Sequence, residues 1–424
     1  MVLQFRGERL SWQPISREWP VTSRQVLIAG GGIGGLTASL CLAKRGFDVI
    51  VFEQSPELAA IGAGIQLSPN CARVLHDLGL ELPLRACAFL PEGTQFRDWR
   101  SGRVIADSVL GETALKQYGA PYYHIHRGDL LRVLSDAVNS SPNVTLKTDA
   151  QVAAFSQSSA GVEVKTAQGA FAGDALIGAD GIHSAVRTGL WGEQIPSFTG
   201  NIAWRALVPT ERLPKNLIRP MASAWWGPGK HFVHYYVRGG ALVNCVCVVE
   251  KQGWEVESWT ESGELSEIKA DFAGWHDDIQ QLIDHADSDS LFKWALYDRS
   301  PMSRWGQGRV SLLGDACHPT LPFMAQGAAM AIEDAAVLAG CLGGASIEKG
   351  LDRYENLRRA RTTSIQKGSR RNAKVFHLSG MKAWLRNKAV RAAGNRVMDQ
   401  LFSYNALDVA DQAMQESIGD IPLR

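Results

Sequence analysis

Read from the N-terminus, the first continuous apolar run is Val26-Leu27-Ile28-Ala29, preceded by Arg24-Gln25 and broken by Gly30-Gly31-Gly32-Ile33-Gly34-Gly35. A run this short, bounded by glycine, predicts a buried strand. From Leu36 to Arg45 the pattern is helical; Gly46 ends it, and Asp48-Val49-Ile50-Val51-Phe52 reads as a second strand. Strand, glycine turn, helix and strand make a mononucleotide-binding unit. Gly30, Gly32 and Gly35 fit GxGxxG: the first for the tight turn, the second for close approach of a pyrophosphate, the third for packing of helix on strand. The N–H groups at the helix start then face the phosphates. Glu53, with Gln54 beside it, follows the first glycine by about 20 residues, where a carboxylate accepts the hydroxyls of an adenosine ribose.

Two later strands also end in acids. Asp174-Ala-Leu-Ile-Gly-Ala breaks at Asp180-Gly181 into a helix begun by Ser184-Ala185-Val186-Arg187, and Arg309-Val-Ser-Leu-Leu ends at Gly314-Asp315. From Gln326 the pattern through Leu338 is a strong helix whose positive end faces the preceding loop. Between about residues 200 and 300 the pattern becomes strands with turns and many tryptophans, an antiparallel sheet rather than a second dinucleotide fold. In His231 to Arg238, period two puts His231, Val233 and Tyr235 on one face and Phe232, His234 and Tyr236 on the other. Around Gly62-Ala63-Gly64, small residues let the chain pass against a flat ring; Ser68 and Pro69 then suit an N-cap and first helical position. The basic stretch holding Arg353, Arg358, Arg359, Arg361, Lys367, Arg370 and Arg371 reads as a solvated helix face. His318 and Cys317 are adjacent without a partner pattern, so no metal site is expected.

Composition narrows the partners. The 424 residues imply two domains, or one large α/β domain with an insertion, and room for a large cofactor. A net charge of +1, from 44 basic and 43 acidic residues, argues against nucleic acid. The 7 scattered cysteines read as reduced, buried thiols. No window approaches the roughly 20 apolar residues of a membrane span, and residues 1–20 hold charged and polar residues where a signal peptide would have its apolar run. A cytoplasmic enzyme with a small-molecule substrate, monomer or homodimer, is expected, with no membrane partner.

GADGIHSAVR and LLGDACHP resemble the DG and GD motifs of the single-component FAD-dependent aromatic hydroxylases, the family of salicylate, 3-hydroxybenzoate and 6-hydroxynicotinate hydroxylases. The likeness runs from about Gln25 to residue 370. It implies a p-hydroxybenzoate hydroxylase-like α/β fold: a Rossmann-like FAD-binding domain (23–75, 109–192, 301–340) interleaved with substrate-side parts (76–108, the β-sheet domain 193–300), then C-terminal helices (341–424). It implies that Asp315 binds the FAD ribityl chain, that Pro319 shapes the loop beside the flavin, and that Gly327 and Ala328 present N–H groups to its pyrimidine. Gly64, Arg127 and Asp180 join the FAD set; Asp180 also meets the passing NADH or NADPH. The implied reaction is hydroxylation of a small phenolic acid by O2 through a flavin C4a-hydroperoxide. Tyr235 and His231 resemble the family's active-site pair, and Phe323, Pro322 and Met324 its pocket lining. Gln66, a further catalytic candidate, stands where hydroxynicotinate hydroxylases carry a histidine, as does Phe323. Both departures favour a benzenoid ring. A flavin oxidase or dehydrogenase shares the glycine turn but lacks the DG and GD pair. The glycine turn also admits a non-catalytic nucleotide-binding regulator, and the three motifs together admit a monooxygenase for a larger or N-heterocyclic substrate.

Overall fold

The computed structural model describes residues 24–58, 64–251, 253, 263–394 and 396–419; the N-terminal extension expected over 1–22 and the loop residues Ile61, Gly62 and Ala63 lie outside them. The first apolar run forms Gln25–Ala29, at the centre of a five-stranded parallel sheet ordered Val310–Leu312, Ala175–Gly178, Gln25–Ala29, Asp48–Phe52, Val144–Lys147. Val26 to Ile28 are fully buried, as expected of a strand in a covered parallel sheet. The three strands that precede the sequence motifs are therefore adjacent and run the same way. Their carboxyl ends deliver the glycine turn, Asp180-Gly181 and Gly314-Asp315 to one edge, where open α/β sheets bind ligands.

A second sheet has seven strands, ordered Phe292–Asp298, Ser197–Pro209, Leu242–Glu250, Lys230–Val237, Met221–Gly227, Gly93–Asp98, Val104–Val109. It is not purely antiparallel: Met221–Gly227 pairs in parallel with Gly93–Asp98, because the earlier segment adds its own hairpin to the edge. Register aligns Trp226, His231, Val248, Ala203 and Trp294 in one row, and Ala222, Tyr235, Asn244 and Leu207 in another on the same face. The opposite face, with Trp204, Trp225, Phe232 and Cys245, is covered by two helices, Leu265–Asp271 and Asp277–Asp284. The strand pattern expected there did not anticipate them, although Ile279, Leu282 and Ile283 carry helical spacing. Burying a side chain such as Phe232 on that face contributes about 2 kcal/mol.

The helix expected from Gln326 is Gly327–Gly343, and Ile347–Phe376, Gly380–Ala393, Arg396–Phe402 and Ala406–Gly419 follow it. The basic stretch is a solvated face only in part: Lys367 and Arg371 are exposed, whereas Arg358 and Arg361 turn inward. Arg358 is 0% exposed; its Nη2 donates to Glu333 Oε2 at 2.7 Å and its Nε to Asp334 Oδ1 at 2.7 Å. Arg361 grips Glu333 with Nε and Nη2 at 2.8 and 2.7 Å. Helical spacing turns Arg358 and Arg361 toward the preceding helix, whose only two acids meet them. No helix among the described residues is long and apolar enough to cross a membrane.

His318 and Arg358 hold the Asp334 carboxyl down at about 2, against the desolvation that burial imposes, and Arg358 and Arg361 hold Glu333 below its ordinary value. Carboxylates whose folded pKa is depressed contribute stability that is complete above their unfolded values near 4 and lost as pH falls through the folded value. Unfolding free energy is therefore expected to fall between about pH 4 and pH 2. Arg358→Leu, which takes the shared buried cation from two buried carboxylates, is expected to cost about 3–5 kcal/mol in denaturant unfolding at neutral pH; a loss below 1 kcal/mol would show the pairs to be dispensable.

Candidate active site

The glycine turn is built for close approach. Gly30 has φ +103°, and a Cβ there would lie 2.4 Å from the Ala179 carbonyl oxygen. A Cβ on Gly35 would lie 2.0 Å from Gly30 O, so the helix Ile33–Lys44 starts against its own turn. At Gly32, its N-cap, nothing stands within 4 Å of a Cβ: the turn opens there. Gly34 abuts Leu313 and Ala331, which brings this helix start beside that of Gly327–Gly343. Two positive helix ends thus converge on one opening.

Around it the acids are placed. Glu53 accepts from Gly31 N at 2.8 Å and from Ser55 N at 2.9 Å, while Gln54 is exposed. Arg127, whose pKa burial lowers, has Asp315 and Glu53 as its charged neighbours. Asp315 is open to solvent although protein surrounds it, so it lines a hollow; enclosure raises its carboxyl pKa, and His318 and Arg127 pull it back. Asp180 Oδ2 accepts from Val186 N at 3.1 Å, and its buried Oδ1 has no partner. Arg187 donates to Ala316 O at 2.8 Å and Ile182 O at 2.5 Å, tying the Asp180 and Asp315 loops together. Pro319 O accepts from Gln366, and Gly327 and Ala328 stand at the helix start, half-buried. Cys317, His318 and Asp334 come within 4.8 Å of one another. Both Asp334 oxygens are engaged, Oδ1 by Arg358 and Oδ2 by His318 at 2.6 Å, so the cluster is an ion-pair lock on the loop.

Next to this opening stands the inner face of the large sheet. His231 and Tyr235 share that face, but four residues of strand separate them by about 13 Å; they do not form a pair. His231 Nδ1 shares a 2.8 Å hydrogen bond with His377 Nε2, and its ring lies 5.1 Å from Phe323. Tyr235 packs on His124 at 4.6 Å. The ring that Gly64 passes is that of Tyr235: a Cβ on Gly64 would lie 2.8 Å from it, and Gly64 N donates to Asn244 Oδ1 at 2.7 Å. Gln66 Oε1 accepts from Tyr122 Oη at 2.7 Å. Pro322 is exposed, and the Met324 sulfur lies against Gly368 of the long helix. Ser68 precedes Pro69 at the helix start as expected, yet its Oγ bonds Gln326 instead of capping. On the other face, His234 accepts from Trp225 Nε1 at 3.0 Å and is a core residue.

The sequence profile described as "FAD binding domain" matches residues 23–369, more than three quarters of the length, and runs through all three motif loops. The chain belongs to the FAD-binding domain family. It is 38% identical over 384 residues to a 3-amino-4-hydroxybenzoate 2-monooxygenase of Streptomyces platensis, covering 90% of this chain and 95% of the relative. It is 38% identical to a 3-hydroxybenzoate 6-hydroxylase of Polaromonas naphthalenivorans, with 85% and 90% covered, and 36% identical to a 6-hydroxynicotinate 3-monooxygenase of Bordetella bronchiseptica, with 82% and 91%. Among solved structures, Klebsiella pneumoniae HpxO with FAD and uric acid superposes with TM-score 0.79 at 26% identity, covering 91% and 96%. The architecture is that of the p-hydroxybenzoate hydroxylase-like fold. The chain is a flavoprotein aromatic monooxygenase with FAD as its cofactor. The strict glycine turn, the open space at Gly32 and the unpartnered Asp180 Oδ1 fit that cofactor.

Sequence reading missed Tyr122, His124, Arg205, Asn244 and His377. A signal existed for the first two: Tyr122-Tyr123-His124-Ile125-His126 directly precedes Arg127. Arg205 lies in the row of Val233 and Val246, with its guanidinium 4.6 Å over Trp294 and its pKa lowered to about 10 by burial. Gly35→Ala, which pushes a methyl into Gly30 O, is expected to weaken FAD retention about tenfold or more; a purified variant with wild-type flavin content would refute the close-approach argument.

Proposed function

We propose that this chain hydroxylates a small phenolic aromatic acid of the hydroxybenzoate or salicylate type, with NADH or NADPH as reductant and O2 as oxidant. The observation that carries this reading is Arg205, a cation enclosed on the inner sheet face beside Tyr235, with Trp294 beneath it. An arginine so placed suits a carboxylate, by charge-assisted hydrogen bonds strengthened by exclusion of water. The relatives' names point the same way, toward hydroxybenzoates and, more distantly, a hydroxynicotinate.

In this reading Gly30, Gly32, Gly35, Glu53, Gln54, Gly64, Arg127, Asp180, Asp315, Pro319, Gly327 and Ala328 hold FAD, which supplies the oxygen-transfer chemistry. The chain's own residues hold the substrate. Burial raises the Tyr235 pKa, so its phenol stays a hydrogen-bond donor, suited to the carboxylate end with Arg205. Burial holds His231 well below its ordinary value, so it is a neutral acceptor, suited to take the proton of the substrate's ring hydroxyl and raise electron density on the ring. Phe323, Val233 and Val246 keep the hollow dry, and Gln66, fixed by Tyr122, borders its other side. Pro322 and Met324 frame the loop that carries Phe323. The free, mostly buried thiols at all seven cysteines suit a reducing, cytoplasmic setting.

The test follows NADH oxidation with and without a panel of hydroxybenzoates while counting product against peroxide. Stimulated oxidation with product is expected; if no aromatic acid accelerates flavin reduction, the substrate claim is wrong. Asp315→Ala is expected to lose FAD. Arg205→Met is expected to raise KM for the acid about 100-fold with FAD content unchanged. Tyr235→Phe keeps FAD and diverts turnover to peroxide; an unchanged product yield would remove Tyr235 from the substrate site.

A further inference from the structure

His231 does not end at the sheet. Its Nδ1 shares the 2.8 Å bond with His377 Nε2, and His377 Nδ1 shares a 2.7 Å bond with Glu250 Oε1. The three residues come from different places: the start of the strand Lys230–Val237, the end of the helix Ile347–Phe376, and the end of the strand Leu242–Glu250. Exposure changes sharply along the line. His231 is 2% exposed and His377 7%, whereas the Glu250 side chain is 54% exposed. Backbone bonds hold the line in place: Gly229 N donates to His377 O at 3.1 Å and Glu250 N to Gly229 O at 2.9 Å.

We propose that His231, His377 and Glu250 form a proton relay between the substrate's ring hydroxyl and bulk water, with His377 and Glu250 as positioning and proton-carrying residues. The inference rests on the reading that His231 meets that hydroxyl. Among the described residues Nε2 of His231 has no hydrogen-bond partner, and it is the atom left for the substrate. On ionisation, the hydroxyl O–H bond breaks and its proton bonds to His231 Nε2. The Nδ1 proton of His231 passes to His377 Nε2, the Nδ1 proton of His377 passes to Glu250, and Glu250 releases it to water. Each ring gains one proton and loses one, so no imidazolium persists inside. Return of a proton along the same line to the hydroxylated product restores both tautomers.

The charged surroundings suit this use. Among the described residues His377 is the titrating neighbour of His231, and burial favours the neutral form of both rings. His377 faces Glu250, which favours its protonation, and Arg386 of the helix Gly380–Ala393, which opposes it. Arg386 is in turn committed elsewhere, donating to Val375 O and Phe376 O at 3.0 and 2.8 Å, with the Asp98 carboxylate acting on it. A structural link between these segments needs only one bond; a chain of groups that both accept and donate, running from a dry face to an exposed carboxylate, is what proton transfer needs.

The test uses the oxidised FAD holoenzyme in weak buffer with a pH-indicator dye and no reductant, mixed rapidly with members of the hydroxybenzoate panel. Flavin absorbance reports binding, and the dye reports proton release. Wild type is expected to release a proton as the acid binds. Glu250→Gln and His377→Gln are expected to bind it but release the proton roughly tenfold or more slowly, with Glu250→Asp restoring most of the rate. Wild-type release rates in both Gln variants, with the flavin change intact, would overturn the relay and leave the substrate reading standing. No flavin change with any acid in wild type would overturn the substrate reading, and the relay with it. Glu250 is exposed, so its variants test the relay even if His377→Gln does not fold.

Discussion

The buried ion-pair lattice of Glu333 and Asp334 with Arg358, Arg361 and His318 is the constraint on which the rest of the molecule depends. It joins the loop after Val310–Leu312, through Gly314 N and His318, to the helix Gly327–Gly343 and the long helix behind it. Asn70 donates to Glu333 at 2.6 Å and Gln326 to Ser68 at 2.9 Å, which adds the helix beyond the small-residue loop. Four segments far apart in sequence are thereby fixed around one helix start. Such a lattice is poor evidence of net stability, since desolvating each ion costs several kcal/mol. Its value lies in geometry: an apolar replacement would fill the space without dictating where Asp315, three residues before His318, must stand.

The same lattice explains what the sequence conveyed and what it hid. The glycine turn, Asp180-Gly181 and Gly314-Asp315 are local patterns, and each sits at a strand end because the chain must turn there. Parallel pairing brings them together, so their convergence was legible once a parallel sheet was inferred. The faces of Lys230–Val237 were legible for a similar reason, since period two is local. Arg358 and Arg361 were not. On its own helix each looks like a solvated charge, and only the two acids inside an otherwise apolar helix, Glu333-Asp334, hint that cations must come to them. Arg205 and His377 were hidden more deeply: their roles exist only in register across strands and at a helix end. The inserted hairpin Gly93–Asp98 with Val104–Val109 was likewise invisible, because strand partners are not written in either strand.

The departures at Gln66 and Phe323 take on a physical meaning in place. Gln66 cannot titrate near neutral pH, and its amide oxygen is already held by Tyr122. Phe323 lies on the ring of His231, with Phe376 edge-on at 5.5 Å. Aromatic cover on two sides denies His231 direct exchange with water, which is the condition under which a neutral imidazole acts as an acceptor. The same cover would trap any proton it takes. A dry base and a route to solvent are therefore linked requirements: the more completely Phe323 and Phe376 seal His231, the more the hollow depends on its hydrogen-bonded neighbour, His377.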